Sequence, residues 1–113
     1  MIIAIPVFGR EISPRFDCSR EMLLFRVERG RVVEERPLAI KDETHLLNRV
    51  RILSARKVER ILCGGIDEFS VRALNGAGIR VLSWASGNAR AALEAFLAGR
   101  RRAGKAQKRP PGA

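Results

Sequence analysis

The sequence predicts a single α/β domain with a mixed sheet of about five strands and about three flanking helices. Its 113 residues suffice for one domain with a hydrophobic core. In the second half, short apolar runs typical of strands alternate with segments whose apolar residues recur at helical spacing. Single helices between strands imply right-handed parallel crossovers, and a hairpin in the first half adds antiparallel strands.

The chain opens with a strand that leads into a polar loop. Residues 2–5, IIAI, begin an apolar run that suits a strand covered on both faces, and Pro6 and Gly9 are expected to end it. Loops anchored on rigid strands often carry the sites of small proteins. Polar and sulfur-bearing side chains gather in this loop, namely Arg10, Glu11, Ser13, Arg15, Asp17 and Cys18.

A β-hairpin is predicted next. Residues 22–28 and 31–35 have strand composition, and the Arg29-Gly30 pair between them is typical of a tight turn. We expect Pro37 to end the second strand.

The second half alternates helices and strands. Apolar residues from Leu46 to Leu53 predict a helix capped by Asp42 or Thr44. Its outward side chains are expected to be Asn48, Arg49, Arg51 and Arg56. The other predicted elements are strands over residues 58–63 and 79–84 and helices over residues 67–75 and 89–97, with Gly76 or Gly78 ending the first of these helices.

The net charge of +10 is concentrated at the end of the chain. Residues 99–113, GRRRAGKAQKRPPGA, hold six basic side chains and no acidic one. We therefore predict a domain over residues 1–99 and a basic, disordered tail over residues 100–113. The tail is either a surface for nucleic acid or an acidic protein, or a solubilising extension without a dedicated partner.

The sequence also indicates a compartment. No apolar run is long enough to span a membrane, and the start lacks the pattern of a signal peptide. A cytoplasmic protein without a membrane partner is expected, and its oligomeric state is not predicted. Cys18 and Cys63 would then remain reduced thiols.

Nuclease activity is the first hypothesis to test, because an α/β fold of this shape is similar to ribonuclease H. Two-metal phosphoryl chemistry needs carboxylates that converge on a metal pair. The first strand carries no acid, and Asp17, Asp67 and Glu68 lie on loops. The sequence therefore predicts no nuclease site.

Gly64 and Gly65 precede a helix and allow two interpretations. They could hold an anion at the helix N-terminus, or they could permit tight packing of the chain. Asp67 and Glu68 would repel phosphate and complement the helix dipole, which favours packing.

Three side chains are candidate soft metal donors. Cys18 lies near Arg15 and Arg20, which would favour its thiolate, so it is a candidate ligand or redox-sensing thiol. His45 is either an exposed surface residue or a ligand for a transition metal. Cys63 is either a small buried hydrophobe or a ligand.

Three motifs stand in order along the chain: IAIPV at residues 3–7, ISPRF at residues 12–16 and CGGI at residues 63–66. With them the sequence resembles the dinitrogenase iron-molybdenum cofactor biosynthesis family, whose members include NifX-like domains and the C-terminal domain of NifB. The resemblance implies a ribonuclease-H-like fold without catalytic acids. It also implies a non-catalytic carrier of an iron-molybdenum cofactor, an iron–sulfur cluster or a precursor, with cofactor-assembly proteins as partners.

The resemblance also locates a site on two loops. Relatives often carry a histidine where Arg15 stands, and some carry a cysteine in a WxCG segment where this chain has Trp84-Ala85-Ser86-Gly87. A guanidinium at position 15 can still bind an anionic cluster or its organic acid. The predicted cofactor-binding residues are Ser13, Arg15, Cys18, Cys63, Gly64 and Gly65, and the predicted metal donors are Cys18, His45 and Cys63.

Overall fold

A mixed sheet lies between helices on both of its faces. The computed structural model describes residues 1–41 and 45–106, apart from the side chains of Cys18 and of residues 101–106. Within these residues, the strands are β1 (Ile2–Phe8), β2 (Glu11–Ile12), β3 (Glu21–Glu28), β4 (Arg31–Ala39), β5 (Val58–Leu62) and β6 (Arg80–Leu82). The helices are α1 (Leu46–Ala55), α2 (Glu68–Gly76) and α3 (Ala89–Ala106), and a short 3-10 turn spans Phe16–Cys18.

The strand order is β4-β3-β1-β5-β6, with β2 paired to the end of β1. β3 is antiparallel to β1 and β4, whereas β5 is parallel to β1 and β6. The predicted combination of a hairpin and parallel crossovers is therefore confirmed. The sheet has six strands rather than about five, because the turn at Gly9 (φ 61°) brings Glu11 and Ile12 back beside Val7 and Phe8.

Two prolines do not end strands as predicted. Pro6 lies inside β1, where its carbonyl accepts a hydrogen bond from the Ser13 amide at 2.8 Å. Pro37 lies inside β4, which is the edge strand of the sheet. A proline is tolerated on an edge strand because its missing N–H removes no bond from the interior of the sheet.

The core has two layers, one on each side of the sheet. β1 contributes to both layers through alternating side chains, so the predicted strand covered on both faces is confirmed. On one side, Ala4 belongs to the layer that includes residues of α1 and α2. On the other side, Ile3 and Ile5 lie with Leu93 and Leu97 of α3.

The hairpin turn has the backbone that its sequence predicts. Arg29 and Gly30 both have positive φ, 57° and 76°, as a two-residue turn between twisted strands requires. Of the two glycines predicted to end α2, Gly78 adopts the left-handed conformation, with a φ of 83°, whereas Gly76 is still part of the helix.

Two helix boundaries differ from the prediction. α1 begins after His45, and the predicted caps Asp42 and Thr44 lie outside the described residues. α3 continues to Ala106, so residues 100–106 of the predicted disordered tail are helical, and residues 107–113 lie outside the description. No helix in the described part of the chain is long and apolar enough to cross a membrane.

Candidate binding site at the carboxyl edge of the sheet

Three loops meet where β1, β5 and β6 end. We call them the first loop (residues 9–20), the second loop (residues 63–67) and the third loop (residues 83–88). The three strands run parallel, so their carboxyl ends share one edge of the sheet. In open α/β sheets this carboxyl edge is where ligands usually bind.

Backbone hydrogen bonds join the first and second loops. The Gly65 amide donates to the Pro14 carbonyl at 2.7 Å, and the Phe16 amide donates to the Gly65 carbonyl at 2.9 Å. These two bonds form a short parallel bridge between Arg15 and Gly65. The ISPRF and CGGI motifs are therefore in direct contact.

The third loop closes the arrangement. The Trp84 amide donates to the Gly64 carbonyl at 3.1 Å, and the Ala85 amide donates to the Cys63 carbonyl at 2.9 Å. On the other side, the Ile12 amide donates to the Gly87 carbonyl at 2.8 Å. Each loop is thus hydrogen-bonded to both of the others.

Gly64 has no room for a side chain. A Cβ atom built there would lie 2.6 Å from the Ser13 carbonyl oxygen and 2.8 Å from that of Pro14. This close approach supports the interpretation that the two glycines permit tight packing, here of the second loop against the first loop.

Asp67 caps α2, because its carboxylate accepts a hydrogen bond from the Ser70 amide. A hydrogen bond from the Ser70 hydroxyl lowers the pKa of the Asp67 carboxyl.

Ser13 shapes the first loop from inside. Its side chain is buried, and its hydroxyl donates to the Arg15 carbonyl at 3.0 Å. The same hydroxyl accepts a hydrogen bond from the Arg15 amide at 3.4 Å. Ser13 therefore holds the turn that presents Arg15.

Arg15 is exposed on the surface of the first loop. Its Nε and Nη2 atoms donate to the Oδ1 and Oδ2 atoms of Asp17, at 3.2 and 3.0 Å. This two-pronged pair orients the guanidinium, and it also places a negative charge beside it.

A buried arginine anchors the first loop to α1. Arg49 donates to the Ser19 carbonyl at 2.9 Å, and its guanidinium carbon lies 6.0 Å from the centre of the Phe16 ring. The prediction that Arg49 faces outward is wrong. The helical spacing contains the signal, because Arg49 stands three residues after Leu46 and four before Leu53 and so lies on the apolar face.

The candidate metal donors occupy different surroundings. Cys63 is completely buried, and this burial raises the pKa of its thiol to about 11. His45 is exposed at the start of α1, outside the three loops. The backbone of Cys18 lies in the 3-10 turn of the first loop. Among the side chains that are described, no group of three or more His, Cys, Asp and Glu residues could hold a metal ion.

Trp84 is the most exposed large apolar side chain described at this edge. It is 80% exposed and has a φ of 66°, which is rare for a bulky residue. Its ring atom Cζ3 lies 3.8 Å from the position of a Cβ on Gly65. The indole therefore stands over the second loop.

Comparison with known proteins decides the family. Residues 1–99 match the family described as dinitrogenase iron-molybdenum cofactor. The chain belongs to this family. The resemblance carried by the three motifs is therefore confirmed, and those motifs lie in the first strand and in the first and second loops.

Solved structures share the fold of this family member. The protein PH0822 superposes with a TM-score of 0.83 at 22% identity, over 88% of this chain and 90% of its own. A Thermotoga protein provisionally named NifB gives 0.72 at 22% identity, over 88% and 89%. The apo form of the orange protein from Desulfovibrio gigas gives 0.68 at 21% identity, over 87% and 88%. A search of curated protein sequences finds no significant match.

Some of the predicted site residues lie together in the three loops, and one lies outside them. It brings Ser13, Arg15, Gly64 and Gly65 together, along with the backbone of Cys63, and it leaves His45 outside the loops. Trp84 was not predicted as a site residue. The sequence signal was its place in the segment where some relatives carry a cysteine.

Proposed function

We propose that this protein is a non-catalytic carrier that binds an iron-molybdenum or iron–sulfur type metallocluster, or a precursor of one, at the carboxyl edge. The observation that carries the proposal is the mutual hydrogen bonding of the three loops at that edge, in a member of this family. Cofactor-assembly proteins are the partners that such a carrier would serve.

The first loop offers charge to an anionic cargo. Arg10, Arg15 and Arg20 are all exposed on it. Guanidinium groups donate several hydrogen bonds in a fixed plane, which suits sulfide and carboxylate acceptors. Asp17 forms an ion pair with Arg15, so an anionic cargo would have to compete with the Asp17 carboxylate for the guanidinium of Arg15.

Cys18 is the proposed principal protein donor. A metal ligand must be a thiolate, and the raised pKa of Cys63 keeps its thiol protonated at neutral pH. Ligation by Cys63 would therefore require proton release and would strengthen as the pH rises. Cys63 and His45 remain proposed as secondary donors.

We place the protein among carriers rather than enzymes on the basis of the resemblance. The assignment of the fold as ribonuclease-H-like and the cytoplasmic location likewise remain predictions. The redox-sensor hypothesis for Cys18 is separable from the carrier hypothesis, because it requires a low thiol pKa in protein that holds no metal.

Anaerobic loading tests the proposal. The protein is incubated with ferrous iron and sulfide, with and without molybdate, and then desalted for elemental analysis and absorption spectra. We expect retained metal in the wild type and a large loss in Cys18→Ala. The control is Asn75→Ala, an exposed change near the end of α2 that is remote from the second loop. A wild type that remains colourless and metal-free in all mixtures would refute the proposal.

A further inference from the structure

A second polar surface lies at the opposite end of the sheet. There the start of β1, the hairpin turn, β5 and α3 surround an open cleft of about 720 Å³. Its lining includes two acidic residues, Glu28 and Glu59, together with Met1, Arg29, Arg60, Leu97 and Arg100. None of these residues belongs to the three loops of the carboxyl edge.

Two arginines of the cleft lining, Arg60 and Arg100, lie close to a third, Arg80, and we call these three residues the basic surface. Arg60 and Arg80 are direct partners in the register of β5 and β6, so their side chains leave the same face of the sheet. The guanidinium carbons of Arg60 and Arg100 each lie 5.8 Å from the centre of the Phe96 ring of α3. The helix and the two strands thus bring the three cations together.

The charge of the basic surface is not neutralised by ion pairs. Among the described side chains, no carboxylate lies within 4.0 Å of Arg60, Arg80 or Arg100. Burial, Arg100 and Arg80 together lower the pKa of Arg60, with Glu59 acting in the opposite direction. Glu28 and Glu59 line the cleft, but neither is within ion-pair distance of these three arginines. Like charges that are held close together without a paired carboxylate favour the binding of an anion.

The sequence adds further basic residues directly after the basic surface. α3 extends to Ala106, and Arg101, Arg102 and Lys105 follow Arg100 in the sequence. A small anion would contact one or two of the three arginines of the basic surface. A long polyanion would contact all three at the same time.

We infer that the basic surface, with the cleft beside it, binds the phosphate backbone of nucleic acid. Duplex nucleic acid carries about one charge per 1.7 Å, whereas an extended acidic peptide carries at most one per residue, about 3.3 Å. The denser polyanion matches a surface whose cations are adjacent. Phe96 is covered by two guanidiniums, so contact through phosphates rather than base stacking is expected, without sequence preference.

The experiment measures binding of the full chain to a fluorescein-labelled DNA duplex by anisotropy across a salt series. We expect Arg60→Gln/Arg80→Gln to weaken binding about tenfold at low salt and to reduce the salt slope by about two. The charge-retaining Arg60→Lys/Arg80→Lys should keep most of the slope. Arg72→Gln/Arg90→Gln is the matched control, because it removes the same charge from arginines that pair with Glu68 and Glu94.

Three outcomes would overturn the inference. These are no binding of the duplex at low salt, an unchanged affinity and slope in Arg60→Gln/Arg80→Gln, or an equal loss in the Arg72→Gln/Arg90→Gln control. Polyglutamate that binds as tightly as DNA at equal salt, with the same dependence on Arg60 and Arg80, would assign the surface to an acidic protein segment instead. Circular dichroism of each variant checks that the fold is kept, and metal loading at the carboxyl edge should not change.

Discussion

Gly64 holds the first and second loops in contact because it has no side chain. Its Cα faces the backbone carbonyls of Ser13 and Pro14, and the Pro14 carbonyl cannot move away without breaking its hydrogen bond from the Gly65 amide. We expect Gly64→Ala to lower the free energy of unfolding by about 1–3 kcal/mol, as overpacking usually does. Urea denaturation measures the change.

Gly76 provides the control for Gly64. It lies at the end of α2 with no atom within 4 Å of a built Cβ. Gly76→Ala should therefore leave the free energy of unfolding unchanged or raise it slightly. Equal effects of the two substitutions would contradict the proposed role of Gly64.

Cys63 makes stability depend on alkaline pH. Its thiol pKa is raised from 9.0 to about 11 in the folded protein by burial. A raised folded-state pKa contributes stability that is present below the unfolded value and is lost as the pH rises toward 11. We expect the free energy of unfolding of the wild type to fall between about pH 8 and pH 10.5, and Cys63→Ala to reduce this fall.

The chain suits this pH measurement because it has no tyrosine to titrate in the same range. Cys18→Ala is the control and should retain the contribution of Cys63. If the free energy of unfolding falls by the same amount at alkaline pH in Cys63→Ala and in the wild type, burial does not raise the pKa of the Cys63 thiol.

At the scale of elements, Arg49 ties α1 to the first loop. Truncating it would leave the Ser19 carbonyl without this donor and would open a space beside the buried Phe16 ring. We expect Arg49→Ala to cost about 2 kcal/mol of stability. It should also speed amide hydrogen exchange in residues 16–20 more than in β1.

Arg51 is the matched control on the same helix, because its side chain is exposed. Arg51→Ala should leave both the stability and the exchange of the first loop almost unchanged. Arg49→Ala with normal exchange in residues 16–20 would contradict the anchoring role.

Most elements could be predicted from local sequence, because local signals determine them. The Arg29-Gly30 turn and the periodicity of α1 and α2 are such signals. Pro6 and Pro37 misled the prediction, because whether a strand tolerates a proline depends on its place in the sheet. The helical extent of α3 past Gly99 was missed because the basic composition was taken to indicate disorder.

The candidate site was predictable in position but only partly in detail. The end of β1 and the glycines after β5 pointed to the correct edge, since parallel strands end together. Trp84 has a left-handed backbone, and its amide is hydrogen-bonded to the Gly64 carbonyl of another loop. Local sequence could not predict this conformation, because the hydrogen bond joins segments that are distant in the sequence. The raised pKa of Cys63 likewise depends on burial by the complete fold.

At the scale of the whole molecule, the sheet separates two surfaces. The carboxyl edge presents the three loops, and the opposite end presents the basic surface. A carrier of this design could hold its cargo at one end and contact a polyanion at the other. Substitutions in the basic surface should therefore leave metal content unchanged, and Cys18→Ala should leave DNA binding unchanged.

The emission of Trp84 during anaerobic loading tests the central claim most directly. Trp84 is the only tryptophan of the chain and stands beside Gly65, so its fluorescence reports on the carboxyl edge. We expect retained iron and sulfide to quench this emission in proportion to the metal bound, and Cys18→Ala to lose both the metal and the quenching. Metal retained without any change in Trp84 emission, or no metal retained by the wild type, would contradict binding at this edge.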